Sequence, residues 1–173
     1  RGHLKSHCAA TAAAWLITKY PWLTVVYLSA GEDLVKDQVY AIKNILTSPV
    51  YKRYWPDMVN EKEGDREHWT AHSFNVDHPE RKRRAIRDHT LIGKTVKSNF
   101  IGLHADVIFF DDVVVPNNAY SEIGRSEVAK ALSQCSSILN PNGKIIAVGT
   151  RYHPLDAYND MKNAKYRIWD EIS

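Results

Sequence analysis

The chain has 173 residues, 44% hydrophobic and 25% charged, with a formal net charge of +3. That length fits one domain, taken here as residues 1–173, which can bury roughly 68–70% of its unfolded surface. The composition is that of an ordinary globular protein, and the mild positive charge permits a nucleic-acid partner without arguing for one. No stretch approaches the roughly 18 consecutive apolar residues of a membrane span, and no signal peptide is visible. The sequence does not begin with Met and reads as a piece of something longer. Its two cysteines, Cys8 and Cys135, have no metal-type spacing and are expected to be reduced, mostly buried thiols of an intracellular protein.

The first segment, Arg-Gly-His-Leu-Lys-Ser, leads into an Ala-rich run at residues 9–14 with high helix propensity. Pro21 ends it. Residues 23–30 read as a buried strand, and Gly31 follows. Residues 32–47 show helical spacing, with Leu34, Val35, Val39, Ile42, Ile45 and Leu46 on one side. Pro49 is expected to close that unit. Residues 50–90 mix aromatics with charges of both signs and no clean period, so they predict irregular structure with short strands, or an insertion on a sheet edge. Residues 90–101 alternate weakly, as strands do. Four apolar residues at 107–110 then run into Asp111 and Asp112. Residues 121–139 predict an amphipathic helix, Asn140 to Gly143 a turn, and residues 144–150 another buried strand. A short helix is expected after Pro154 and a last strand over 166–172. Helices alternating with buried apolar strands predict an α/β protein with a largely parallel sheet and helices on both faces.

Three elements carry chemistry. Lys5 and Ser6 open a helix directly after a Gly-containing segment, the arrangement of a phosphate-binding loop. Backbone N–H groups at the helix start hold phosphate, the Lys reaches the β/γ-phosphates, and the Ser hydroxyl ligates Mg²⁺. The pattern is short, and Leu4 stands where Gly is usual. Asp111 and Asp112 end an apolar strand. There a nucleotide hydrolase holds its metal with the first carboxylate and orients or deprotonates water with the second. The plain alternative is a solvated acidic turn. Gly149 and Thr150 end the third candidate strand, where a polar residue can sense a γ-phosphate. The alternative there is an ordinary strand and turn. All three fall at the carboxyl edge of predicted parallel strands, where α/β proteins bind ligands, and together they favour an ATPase.

Other features were weighed against blander readings. Gly93, Lys94 and Thr95 match the last letters of a phosphate loop, but Asp88 stands where its first Gly belongs. They are read as strand or turn. The basic run Arg81, Lys82, Arg83 and Arg84, with Arg87, could contact a DNA backbone. It could equally be a solvated face balanced by the acidic stretch from Glu61 to Glu67. His68 and His72 lie four apart, but they are read as surface or core histidines because no third metal ligand is evident.

Read in order, these residues resemble the ATPase domain of tailed-phage terminase large subunits, from Arg1 to about Tyr158. Arg1 to Ser6 resembles the family's deviant phosphate loop. Gly102 to Val114, with its Gly-Leu-His lead-in, resembles the metal-binding strand. Val148, Gly149, Thr150, Arg151 and Tyr152 resemble the coupling motif. The resemblance implies an ASCE-type P-loop NTPase that hydrolyses ATP with Mg²⁺ to drive double-stranded DNA into a procapsid. It implies that Arg1 contacts the γ-phosphate, that Gly2, Lys5 and Ser6 bind the phosphates, and that Ser6 and Asp111 hold Mg²⁺. It makes Asp112 the catalytic carboxylate, often Glu in relatives, while Gly149 and Thr150 couple hydrolysis to movement. The implied partners are the portal protein, the small terminase subunit and further copies in a ring of five, in the infected host's cytoplasm. Arg125 and Arg151 are candidates for an arginine supplied to a neighbour's site. The family's first strand and adenine-binding segment would precede Arg1, and a nuclease domain of ribonuclease-H type would follow, so the chain is expected to be a fragment. Alternatives are a helicase-like ATPase of the same class, or a DNA-binding or assembly module that kept the fold and lost hydrolysis.

Overall fold

The computed structural model describes residues 4–163. In chain order the elements are α1 (Lys5–Lys19), β1 (Val25–Ser29), α2 (Glu32–Thr47), α3 (Pro49–Tyr54), a single 3-10 turn (Glu63–Asp65), β2 (Ser73–Phe74), α4 (Pro79–Arg83), β3 (Leu91–Thr95), β4 (Ala105–Asp111), α5 (Pro116–Ala119), α6 (Glu122–Ile138), β5 (Leu139–Val148) and α7 (Ala157–Asn163). The strands form one sheet in the order β2-β3-β1-β4-β5. β3, β1, β4 and β5 are mutually parallel, and β2 pairs antiparallel on the β3 edge. The strand expected at 166–172 lies outside the described residues.

Both faces of the sheet are covered, and the side-chain period of two sorts its residues between them. Val25, Tyr27, Val107 and Phe109 pack with Ala10, Ala13 and Ile17 of α1 and Val39, Ile42 and Leu46 of α2. Val26, Leu28, Ile108 and Phe110 pack with Val128, Ala131, Cys135 and Ile138 of α6. This two-sided burial is why β1 and β4 read as continuous apolar runs. β5, expected to be a buried strand over 144–150, is instead an edge strand that ends at Val148 and has no fully buried residue. Each fully buried Leu, Ile, Val or Phe contributes roughly 1.5–3 kcal/mol, so these two layers fix the positions of β1 and β4.

Small residues bring the first helix close. The buried stripe of α1 is Ala9, Ala10, Ala13, Ala14 and Ile17, and along it the helix contacts α2, β4 and β5. Cys8 lies one position off that stripe and is exposed, contrary to expectation, whereas Cys135 is buried. Burial alone pushes the Cys135 thiol up to about 12, so it stays protonated and inert. Gly93 does comparable work for α2. A Cβ there would sit 2.3 Å from Val35 Cγ1, so the glycine lets the helix rest on β3. The Gly93–Lys94–Thr95 stretch is thus a core strand, paired with Tyr27 to Ser29 of β1.

Pro49 follows the end of α2 at Thr47, as expected, and also opens a further helix. It occupies the first turn of α3, whose N-cap Ser48 accepts from the Tyr51 N–H at 3.2 Å. Asn140 to Gly143 do not end an element but form an excursion inside β5. Leu139 pairs with Ala105 and Lys144 with Val107, so five steps along β5 match two on β4. Asn142 takes the left-handed conformation (φ 68°), and the Asn140 amide donates to Asp106 Oδ1 at 2.8 Å. Residues 50–90 do form an insertion on the sheet edge: three short helical turns and the two-residue strand β2.

Candidate functional site

The three segments singled out in the sequence meet at the carboxyl ends of β4 and β5. Lys5 and Ser6 form the first turn of α1, preceded by Leu4 in the left-handed region (φ 54°) with no side-chain cap. The first N–H groups of any helix lack intrahelical partners, and here the first intrahelical bond runs from Cys8 N–H to Leu4 O. The Lys5 ammonium donates to Gly149 O at 2.9 Å and Thr150 Oγ1 at 3.0 Å. Ser6 Oγ donates to Asp111 Oδ1 at 2.8 Å. The α1 start is therefore tied to the ends of both neighbouring strands, across more than a hundred residues of sequence.

Asp111 is the buried centre of the cluster. Its second oxygen, Oδ2, accepts from the Tyr27 hydroxyl at 2.9 Å, and the Tyr27 ring stacks on Phe109 at 5.6 Å. Burial raises the Asp111 carboxyl above its usual range. The Ser6 and Tyr27 hydrogen bonds and the Lys5 charge oppose that rise, while Asp112 adds to it. Tyr27 is itself pushed far up, first by burial and then by the Asp111 charge, so its hydroxyl remains a donor. Each Asp111 oxygen keeps lone-pair capacity beyond these bonds. With Ser6 Oγ it makes a hard-oxygen set of the kind that suits Mg²⁺.

Asp112 follows in a left-handed turn (φ 46°), half-buried, with its N–H donating to Val148 O at 3.1 Å. Val148 O also accepts from the Tyr158 hydroxyl at 3.1 Å. Tyr158 covers Gly149 so closely that a Cβ there would lie 1.9 Å from the hydroxyl oxygen. Burial and the Asp112 charge push the Tyr158 hydroxyl well above its ordinary value. The segment after β5 is gathered by Asp156, which is fully buried. Its Oδ2 accepts from the N–H groups of Tyr152 and His153 at 2.9 and 3.1 Å, and its Oδ1 from those of Tyr158 and Asn159 at 3.1 and 3.3 Å.

Tyr27, Tyr158 and Asp156 were missed in the sequence. Asp156 carried a usable signal, since an Asp just before a short helix after Pro154 is a good N-cap. The tyrosines carried none, because their partners lie on other strands or in the chain's turns. Of the remaining candidates, Arg1 and Gly2 lie outside the described residues. Arg125 donates to Ala119 O at 2.8 Å within its own chain, and Arg151 is exposed just beyond β5.

The other sequence candidates sit elsewhere. His68 stacks on His89 with centroids 4.0 Å apart and bonds Ser73 Oγ, while His72 reaches Glu32. The basic run is paired mainly with Glu80 and Asp88, and of the acidic stretch Glu67 adds its charge beside Arg81. Arg83 and Arg84 both reach Glu80, and Arg87 reaches Asp88. Arg81 is not at the surface at all. It is buried and donates to the carbonyls of Pro21, Leu23 and Asp88.

Fold and cluster together define a mixed α/β protein with a five-stranded, mostly parallel sheet whose polar site lies at the strands' carboxyl edge, where this architecture binds ligands. No known family's profile matches the chain. The chain is similar to the "Terminase, large subunit" of Enterobacteria phage T3, with 24% identity over 167 residues. That alignment covers 94% of this chain and 26% of the phage T3 protein, so the chain spans about a quarter of its relative's length. No helix among the described residues is long and apolar enough to cross a membrane.

Proposed function

We propose that the chain is the nucleotide-hydrolysing region of a phage DNA-packaging motor, a P-loop ATPase acting on ATP with Mg²⁺. The observation that carries the reading is the convergence of Lys5, Ser6, Asp111, Gly149 and Thr150 in one hydrogen-bonded cluster. Similarity to a terminase large subunit supports it.

In this reading Lys5 and the α1 start hold the β/γ-phosphates, with Gly2 and Arg1 completing the loop. Ser6 and Asp111 are the groups that hold Mg²⁺, and Tyr27 fixes the orientation of the Asp111 carboxylate. Bound Mg²⁺ would neutralise charge developing on the transferred phosphoryl group. Asp112 projects from the turn beyond the strand and orients or deprotonates the attacking water. Lys5 also links phosphate to movement. Drawing its ammonium onto phosphate releases Gly149 O and Thr150 Oγ1, which uncouples the α1 start from the segment that Asp156 and Tyr158 hold together. Double-stranded DNA, a portal protein, a small terminase subunit and copies of the chain in a ring are the partners this activity needs, in the host cytoplasm.

The decisive experiment is ATP turnover by wild type against Lys5→Ala, in the chain and in the longer protein that carries it. Loss of the ammonium should cost about 10²-fold or more in rate. Undiminished turnover in Lys5→Ala places the phosphates elsewhere and sinks the proposal.

A further inference from the structure

At the opposite, amino-terminal edge of the sheet, cations and aromatic rings form a continuous strip. The Lys19 ammonium lies 5.0 Å from the Trp15 ring centre and 5.3 Å from that of Tyr20. Tyr20 meets Trp22 edge-on at 5.6 Å. The Arg84 guanidinium covers Trp22 at 4.0 Å, and Glu80 joins Arg84 to Arg83 at 3.5 and 2.8 Å. The strip is anchored from beneath by Arg81, buried on the carbonyls of Pro21 and Leu23. Trp15, Lys19, Lys82, Arg83 and Arg84 are exposed. Lys19, Arg83 and Arg84 line the strip, and Glu80 is the carboxylate that pairs with both arginines.

From this arrangement we infer that the strip Lys19–Tyr20–Trp22–Arg84–Arg83 is a binding surface for the phosphate backbone of duplex DNA. Cations resting on rings are already ordered, so less side-chain freedom is lost when they meet phosphates. The same stacking decides between kinds of nucleic acid. Single strands are gripped by bases stacking on open aromatic faces, but here Lys19 and Arg84 already cover rings of Trp15, Tyr20 and Trp22. What is offered outward is charge in a row, which reads backbone and no sequence. The surface extends the packaging reading while sharing no residue with the candidate nucleotide site, so the two can fail separately.

The test is fluorescence anisotropy of a labelled mixed-sequence duplex titrated with the whole chain, without nucleotide or Mg²⁺, over roughly 50–200 mM salt. The double variant Lys19→Gln, Arg84→Gln is compared with wild type and with Lys97→Gln, Lys130→Gln, which removes equal charge on the α6 side. Melting temperatures confirm that the variants fold. The expected result is about a tenfold loss of affinity in the first variant, with the slope of log K against log salt shallower by about 2, and no change in the second. Equal losses in both variants, or none in the first, overturn the inference. So does tighter binding of a single strand of the same length that Trp15→Ala abolishes. Loss of binding to phosphatidylcholine–phosphatidylserine vesicles with DNA affinity intact would make the strip a membrane surface instead. Lys5→Ala should bind duplex as wild type does, so retained binding in that variant leaves this inference standing whatever its turnover, and turnover lost in Lys5→Ala with duplex binding unchanged in the strip variant refutes this inference alone.

Discussion

The two edges of one sheet handle polar groups in opposite ways. At the carboxyl edge, Lys5, Ser6, Tyr27, Asp111 and Asp156 come from distant segments, are wholly or partly buried, and are held by hydrogen bonds to one another or to backbone groups. At the amino edge, Lys19, Arg83 and Arg84 stay in solvent, held on rings and a single carboxylate. Removing a buried partner leaves the other group unsatisfied at about 1–3 kcal/mol, whereas exposed ion pairs are screened and contribute little. The first edge should therefore govern stability and chemistry together, and the second only encounters with a charged partner.

The largest stability effect is expected at Asp156. Asp156→Ala strips the acceptor from four backbone N–H groups and should cost about 3 kcal/mol or more, lowering the melting temperature by roughly 6–12 °C for a domain of this size. A drop of only a degree or two would mean that the segment after β5 does not depend on the carboxylate.

Asp111 should come next, with a reversed sign. Its folded-state carboxyl titrates above the ordinary value of 3.8 because it is buried, so between those two values the folded protein binds more protons than the unfolded chain. Stability then falls as pH rises through that window and stays lowered at neutral pH. Asp111→Asn should melt higher than wild type at neutral pH, with the gain disappearing in acid, while ATP turnover is lost. A functional carboxylate kept at the expense of stability is a common compromise. Chemical denaturation at neutral and acidic pH measures the difference, and a variant less stable at neutral pH would show that the hydrogen bonds from Ser6 and Tyr27 outweigh burial.

Smaller still is the helix start. Leu4 is exposed and left-handed, a conformation that costs a non-glycine residue about 1–2 kcal/mol. Leu4→Gly should recover part of this, about 1 kcal/mol, visible as a small rise in melting temperature. Smallest is Glu80→Gln at the amino edge. It should leave the melting temperature unchanged and tighten duplex binding, because it removes only the strip's one negative charge.

Much of the architecture was legible in the chain because it depends on local periodicity. The apolar runs of β1 and β4, the helical spacing of α2 and α6, and the fall of Asp111 and Asp112 at a strand end all follow from patterns a few residues long. The identities of Lys5, Ser6, Gly149 and Thr150 as candidates were equally readable. Cys8 was misplaced because one step of 100° on a helix separates buried from exposed, and the helix that Pro49 opens went unread because a proline can end one helix and start another.

The sequence by itself determined an α/β chain whose central strands β1 and β4 are buried on both faces and whose polar residues collect at strand ends. Only the tertiary structure decided which of those residues touch. Tyr27 reaches Asp111 because β1 and β4 are neighbours in register, Tyr158 lies over Gly149 because α7 folds back on β5, and Arg81 is buried while Arg84 is exposed because α4 docks on the chain entering β1. These contacts join residues far apart in sequence, and no local pattern encodes them: a side chain's partner is set by strand order and helix packing.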